Sequence, residues 1–272
     1  MKTENFQFKK KFGQNFLTDT NLLKAIVTDA GVTSEDNVLE IGAGAGALTN
    51  EIANATKGKI VSVEIDKTLE PILKENLKAH NNVEVVFGDI LKLDPQEIAK
   101  KFDNKPFRVV ANLPYYISTP IIFYLIESEL AIKSITVMLQ KELADRICAK
   151  PNSKDYGGIS VVLGLYGEVR KTRDVPRQLF TPQPNVDSAV ISLEINPQHA
   201  ENIKEISKVV KVCFAMRRKT LANNLMQGFG IDREKANQIL QNCGLSPTAR
   251  AETLEKEQYV CLFNELKKEN IL

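Results

Sequence analysis

Histidine is nearly absent: the 272-residue chain has two, His80 and His199, both in polar connecting stretches. A reaction built on an imidazole base is therefore not expected, which removes many hydrolase mechanisms. Cysteine is sparse as well. Cys148, Cys213, Cys243 and Cys261 lie far apart, with no CxxC pair and no cysteine–histidine cluster. No metal site and no disulfide framework is predicted from that spacing. Three of the four sit among apolar neighbours at helical spacing and read as buried free thiols. No apolar run is long enough to cross a bilayer. Met1 to Lys11 is polar and basic, without the apolar stretch that a signal peptide needs. A cytoplasmic protein with no membrane partner is the expectation.

Net charge is also small, at +2, so any affinity for nucleic acid has to come from local clusters rather than from the whole chain. Three basic clusters exist: Lys9-Lys10-Lys11, Arg170-Lys171-Arg173-Arg177, and Arg217-Arg218-Lys219, while acidic residues dominate Glu252 to Glu265. The asymmetry fits a phosphate-binding face, and solvated surface charge accounts equally well for any single cluster. The length suits one medium domain plus a smaller one, each able to bury a core.

Between about residues 20 and 140, β-rich apolar runs alternate with helical patterns. Val38–Ile41, Ile60–Ile65, Val83–Phe87, Phe107–Ala111 and Ile135–Leu139 read as buried strands. Asp94-Pro95 offers an N-cap with proline at the first helical position, and Thr119-Pro120 repeats the device. Such alternation predicts an α/β fold: an open, mostly parallel, doubly wound sheet. Ile159–Tyr166 and Ala189–Ile195 read as two further strands that extend it antiparallel. After Asn196-Pro197 the pattern turns helical, with Ile203, Ile206, Val209, Val210, Cys213 and Phe214, then Tyr259, Leu262, Phe263 and Leu266. A catalytic domain over residues 1–198 and a small all-helical domain over 199–272 are expected. No long exposed apolar stripe calls for an obligate dimer, so a monomer is expected.

Glu40-Ile41-Gly42-Ala43-Gly44-Ala45-Gly46 closes the first strand and opens a helix. Glycines let the backbone turn sharply and approach a ligand, and ligands of open α/β sheets sit at the carboxyl ends of strands. The loop fits two cofactors, because Gly42, Gly44 and Ala47 also satisfy the dinucleotide fingerprint of nicotinamide enzymes. Glu64 ends the second strand and can accept hydrogen bonds from ribose hydroxyls, which both cofactors carry. The later strand ends discriminate. Asp89 follows the third strand, where it could bond an adenine amine, and the fourth ends in Asn112-Leu113-Pro114-Tyr115-Tyr116, which has no role in hydride transfer.

With these motifs in order, the sequence resembles the bacterial small-subunit ribosomal RNA adenine dimethyltransferases of the KsgA/RsmA type over nearly its whole length. The opening Lys11-Phe12-Gly13-Gln14-Asn15-Phe16-Leu17, the loop Phe180-Thr181-Pro182-Gln183-Pro184-Asn185-Val186-Asp187-Ser188 and the basic motif Arg217-Arg218-Lys219-Thr220-Leu221, taken as helical, complete the match. Ala222 and Gly158 stand where the family commonly has basic residues. The resemblance implies a Rossmann-like methyltransferase fold and S-adenosylmethionine held by Asn15, Leu17, Gly42, Glu64, Asp89 and Asn112. It implies as substrate the ribosomal RNA of a small-subunit precursor.

Methyl transfer to adenine N6 is limited by a lone pair delocalised into the ring. Acceptors for the amine hydrogens, here the Asn112 side-chain carbonyl and the Leu113 backbone carbonyl, favour a tetrahedral nitrogen. Pro114 fixes the turn that aims them. The base must be swung out of its stack, and Tyr115 and Phe180 are expected to hold it between aromatic faces, while Tyr116 packs inward. Two rival readings are a large-subunit RNA methyltransferase of the antibiotic-resistance type and a nicotinamide-dependent oxidoreductase. A third is a non-enzymatic assembly factor.

Overall fold

The computed structural model describes residues 15–196 and 202–272, which form two compact units. The first unit takes the chain up to Ala144 together with Arg170–Ile195; the second takes Asp145–Val169 and the chain from Asn196 onward. Lys9-Lys10-Lys11, the Phe12-Gly13-Gln14 part of the opening motif and His199 lie outside the described residues.

In chain order come β1 (Phe16–Leu17), α1 (Thr20–Asp29), β2 (Asn37–Ile41), α2 (Ala47–Ala55), β3 (Ile60–Glu64) and α3 (Glu70–Asn76). Next are β4 (Val83–Phe87), α4 (Pro95–Lys101), β5 (Phe107–Asn112), α5 (Ser118–Glu127) and β6 (Ile132–Gln140). They are followed by α6 (Lys141–Ile147), α7 (Gly158–Tyr166), β7 (Gly167–Val175), β8 (Phe180–Thr181) and β9 (Ser188–Ile195). All five runs expected as strands in the first 140 residues are strands. They pair in parallel as β4-β3-β2-β5-β6, β9 joins β6 antiparallel, and β7 completes a seven-stranded sheet. The fold is therefore the mostly parallel, Rossmann-like α/β arrangement read from the sequence.

Burial explains the pattern. Every residue of β3 is buried, as expected of a parallel strand covered on both faces. Helix α1 is started by Asp19, whose side chain accepts from the Leu22 N–H at 2.8 Å, and it buries Leu23, Ile26 and Val27. Asp94 caps α4 in the same way, with Pro95 at the first position. The expected repeat of that device at Thr119-Pro120 is corrected. Helix α5 already begins at Ser118, whose hydroxyl donates to the Pro114 carbonyl at 2.9 Å, so Pro120 sits within the first turn, where a missing N–H costs nothing.

The run Ile159–Tyr166 is a helix, not a strand. Its Ser160 hydroxyl accepts from the Gly157 N–H at 3.1 Å, and six of the helix's nine residues are buried, so no polar stripe marks a period. The strand follows it instead, as β7, whose charged residues alternate poorly.

Within the second unit, α8 (Ile203–Cys213), α9 (Leu221–Phe229), α10 (Arg233–Asn242) and α11 (Lys256–Lys268) carry the expected apolar positions. Phe214 stacks on Tyr259 at 6.0 Å, and the Tyr156 hydroxyl donates to the Leu254 carbonyl at 3.0 Å. Two expectations change here. Cys243 and Cys261 form a disulfide, because α10 and α11 bring positions 18 residues apart to a Cα separation of 5.8 Å; Cys148 and Cys213 remain thiols. Arg217-Arg218-Lys219 lies in the turn after α8 rather than in a helix, with all three side chains exposed. Ala222, where the family commonly has a basic residue, is fully buried in α9. No helix among the described residues is long and apolar enough to cross a membrane.

Candidate active site

Because β2, β3, β4 and β5 are parallel, their carboxyl ends share one edge of the sheet. Chain order reverses between β2 and β5, which opens a crevice at that edge. A cleft of about 600 Å³ lies there, within the range of small-molecule sites. Asn15, Leu17, Gly42 and Glu64 line it, as do Asp89, Asn112, Leu113 and Tyr115.

The glycines are required by the backbone. Gly42 and Gly44 have φ of +85° and +54°, in the left-handed region that side chains disfavour. A Cβ on Gly42 would stand 3.4 Å from the Asn112 carbonyl oxygen, and one on Gly44 would press 3.2 Å from the Phe16 ring. The loop is held from beneath by Glu64, whose Oε2 accepts from the Gly44 N–H at 2.9 Å while Oε1 accepts from the Asp66 N–H at 2.8 Å. Burial raises the Glu64 pKa against those two bonds. The Glu40 carboxylate accepts from Thr49 of α2 at 2.6 Å and from Ser62 of β3. Glu64 therefore anchors the glycine loop directly, while Glu40 ties α2 to β3.

Asp89 is both turn former and cleft residue. Its Oδ1 accepts from the Leu91 N–H at 3.1 Å, and 27% of its side chain stays exposed. Asn112, at the end of β5, donates its Nδ2 to the Asn15 carbonyl at 3.4 Å, and the Leu113 N–H continues onto β6 at Met138 (3.0 Å). Beyond Pro114 the backbone makes a 3-10 turn over Tyr115–Ile117. The Tyr115 hydroxyl bonds the Ser188 hydroxyl at the start of β9.

Two aromatic expectations change. Tyr116 does not pack inward: it is 53% exposed and lines the cleft. Phe180 does not reach the cleft. Its side chain is 3% exposed, within the core formed with Leu17, Leu23, Ile26, Val175 and Val190. The reason is strand pairing: β1 and β8 are antiparallel, with Leu17 opposite Phe180 and Phe16 opposite Thr181, and it is Thr181 that lines the cleft. Sequence reading passed over Thr181, Ile65 and Glu40. The alternation along β8, once its pairing with β1 is known, is the signal that separates Thr181 from Phe180.

Glu64 brings a nearly buried carboxylate and Asp89 a partly exposed one to the cleft, both able to accept hydrogen bonds from a polar ligand, beside a glycine loop with no side chain in the way. Among the described residues no group of three His, Cys, Asp or Glu could hold a metal ion.

The basic stretch around β7 is partly committed within its own unit. Arg173 makes two bonds to Asp29 at 2.6 and 2.7 Å, Lys171 pairs with Asp174, and Arg177 donates to the Asn185 carbonyl.

The sequence matches the family described as Ribosomal RNA adenine dimethylase over residues 5–268. It is 46% identical over 269 residues to "Ribosomal RNA small subunit methyltransferase A" of Bacillus mycoides, covering 96% of this chain and 92% of the relative, with the same values for Bacillus anthracis. Among solved structures, a dimethyladenosine transferase from Plasmodium falciparum aligns with a TM-score of 0.81 at 27% identity, over 94% of this chain and 98% of that one. The 23S rRNA methyltransferase ErmE aligns at 0.70 and 28%, over 93% and 100%. The nicotinamide reading of the glycine loop is set aside by these likenesses. The chain belongs to the ribosomal RNA adenine dimethylase family and is an S-adenosylmethionine-dependent adenine dimethyltransferase.

Proposed function

We propose that this enzyme dimethylates the N6 amines of two adjacent adenines near the 3′ end of small-subunit ribosomal RNA, acting as a cytoplasmic monomer on a small-subunit precursor. The observation that carries the site reading is Asn112 at the cleft edge. With its Nδ2 turned to the Asn15 carbonyl, its Oδ1 is the atom available to accept from an adenine amine. The 46% identity to enzymes named for the small subunit favours that substrate over large-subunit RNA.

In this reading Glu64 takes the ribose hydroxyls, Asp89 the cofactor's adenine amine, and Gly42 gives backbone to the methionine end, with Asn15 and Leu17 beside them. When bound, S-adenosylmethionine supplies a methyl on a sulfonium, a leaving group that needs no acid. Asn112 Oδ1 and the Leu113 carbonyl accept the two N6 hydrogens, which frees the nitrogen lone pair for in-line attack. No strong base is needed, because the amine proton becomes acidic only as the new bond forms. Tyr115, kept neutral by burial and by the Asp187 charge, stacks on the extruded base. Phe180 acts from the core as the anchor of its loop. The C-terminal domain expected over residues 199–272, through its helices α8 to α11, contributes to binding the ribosomal precursor.

Asn112→Ala should keep measurable cofactor binding by calorimetry while losing roughly 100-fold or more in methyl transfer, the scale of removing one preorganised hydrogen-bonding group. Unchanged turnover on immature small subunits would refute the role. Preferential labelling of bare large-subunit RNA would overturn the substrate.

A further inference from the structure

Among the described residues, five large apolar side chains are exposed: Ile65, Leu91, Tyr116, Val186 and Leu272. Two of them, Ile65 and Tyr116, line the same cleft. Exposed apolar surface that faces a concave site rather than open solvent is surface kept for a ligand. Tyr116 is the most exposed of the five, and no step of the methyl transfer engages it.

Its orientation is fixed by backbone. The Pro114 carbonyl accepts both the Ile117 N–H at 3.2 Å and the Ser118 hydroxyl at 2.9 Å, so the 3-10 turn holds consecutive side chains in different directions. Tyr115 points to Ser188, with Asp187 as its charged neighbour. Tyr116 lines the same cleft and is the more exposed of the two. Burial first, then the charges of Asp89 and Glu64, raise its pKa, so those two carboxylates are its charged neighbours. They are the groups assigned to the adenine amine and the ribose, and Ile65 directly follows Glu64 in the chain.

We propose that Tyr116 is a cofactor-binding residue whose ring, with Ile65, walls the adenine of S-adenosylmethionine, so that the tandem tyrosines divide the two adenines of the reaction between them. Tyr115 takes the adenine that accepts the methyl and Tyr116 the adenine of the donor. This rests on the assignment of Glu64 and Asp89 to the cofactor. The interaction is made by the aromatic face, so the hydroxyl is dispensable and the ring is not.

The test is calorimetric titration of the full-length protein with S-adenosylmethionine and with S-adenosylhomocysteine, in the absence of RNA, for Tyr116→Ala, Tyr116→Phe and Glu64→Ala. Tyr116→Ala should weaken both ligands roughly tenfold, on the scale of one aromatic–base stacking interaction, and Tyr116→Phe should restore the affinity to within about twofold. The side chain lies at the surface, so an unchanged melting temperature separates this loss from misfolding. If Tyr116→Ala binds both ligands like the parent while Glu64→Ala does not, the Tyr116 assignment fails and the site stands. If neither variant weakens binding, the site itself is misassigned. A loss confined to the KM for RNA would overturn the proposal by moving Tyr116 to the target base.

Discussion

Glu40, in β2, is fully buried, and burial pushes its carboxyl up to about 7, against the Ser62 and Thr49 hydroxyls and with the Glu64 charge adding to the rise. One of its oxygens, Oε1, is buried without a partner. A folded-state pKa above the ordinary value means that the folded protein holds the proton more tightly than the unfolded chain does. The associated stability is complete below about pH 4.5 and is lost as pH rises through about 7. The shift corresponds to an order of about 3 kcal/mol. Glu40→Gln cannot ionise, so its melting temperature should vary less than the parent's between pH 5 and pH 8, and it should be the more stable protein at pH 8. Parallel melting curves for the two proteins would contradict this. The residue was legible in sequence only as the letter before a glycine loop, because burial depth is a property of the sheet around it.

At the scale of elements, what the sequence disclosed followed from period and position. Buried parallel strands are near-continuous apolar runs, so β2, β3, β5 and β6 stand out, as does the half-buried edge strand β4, and the carboxyl ends of β2 to β5 carry Gly42, Glu64, Asp89 and Asn112 into one cleft. An apolar helix with no polar face looks the same as a buried strand, which is why α7 was misread. The directions of Tyr115 and Tyr116 are set by a 3-10 turn with no period to read, and the burial of Phe180 is set by a strand partner more than 160 residues away. Cys243 and Cys261 are joined by helix packing that their spacing does not announce.

Helix packing also gives a prediction. A methyl on Gly228 of α9 would overlap Val212 of α8, and a β-branched side chain on a helix has little freedom to move aside. Gly228→Ala should cost about 1–3 kcal/mol of stability, read as a lower urea midpoint. Adding Val212→Ala should recover part of it, because the smaller residue removes the overlap. Equal destabilisation in single and double variants would show that the two helices do not meet through this pair.

For the molecule as a whole, a net charge of +2 gives little long-range attraction to RNA, so affinity depends on where cations remain available to phosphate. Around β7 several are engaged with Asp29, Asp174 and Asn185. Arg217, Arg218 and Lys219 instead stand exposed on a turn, with Arg217 steadied by the Lys154 carbonyl at 2.9 Å. Replacing all three by alanine should weaken binding to small-subunit RNA and flatten the dependence of log Kd on log salt by about one unit for each phosphate left unneutralised. Affinity for S-adenosylmethionine should not change. An unaltered salt slope would place the RNA footprint elsewhere.

The small ribbon made by β1 and β8 has a thermodynamic consequence. One of its strands borders the cleft through Leu17, and the other begins the proline-rich loop that ends at Ser188, the partner of Tyr115. Two ligands that each favour one arrangement of a shared ribbon are coupled, and such coupling is reciprocal. By whatever factor the methyl donor tightens the grip on RNA, RNA must tighten the grip on the donor.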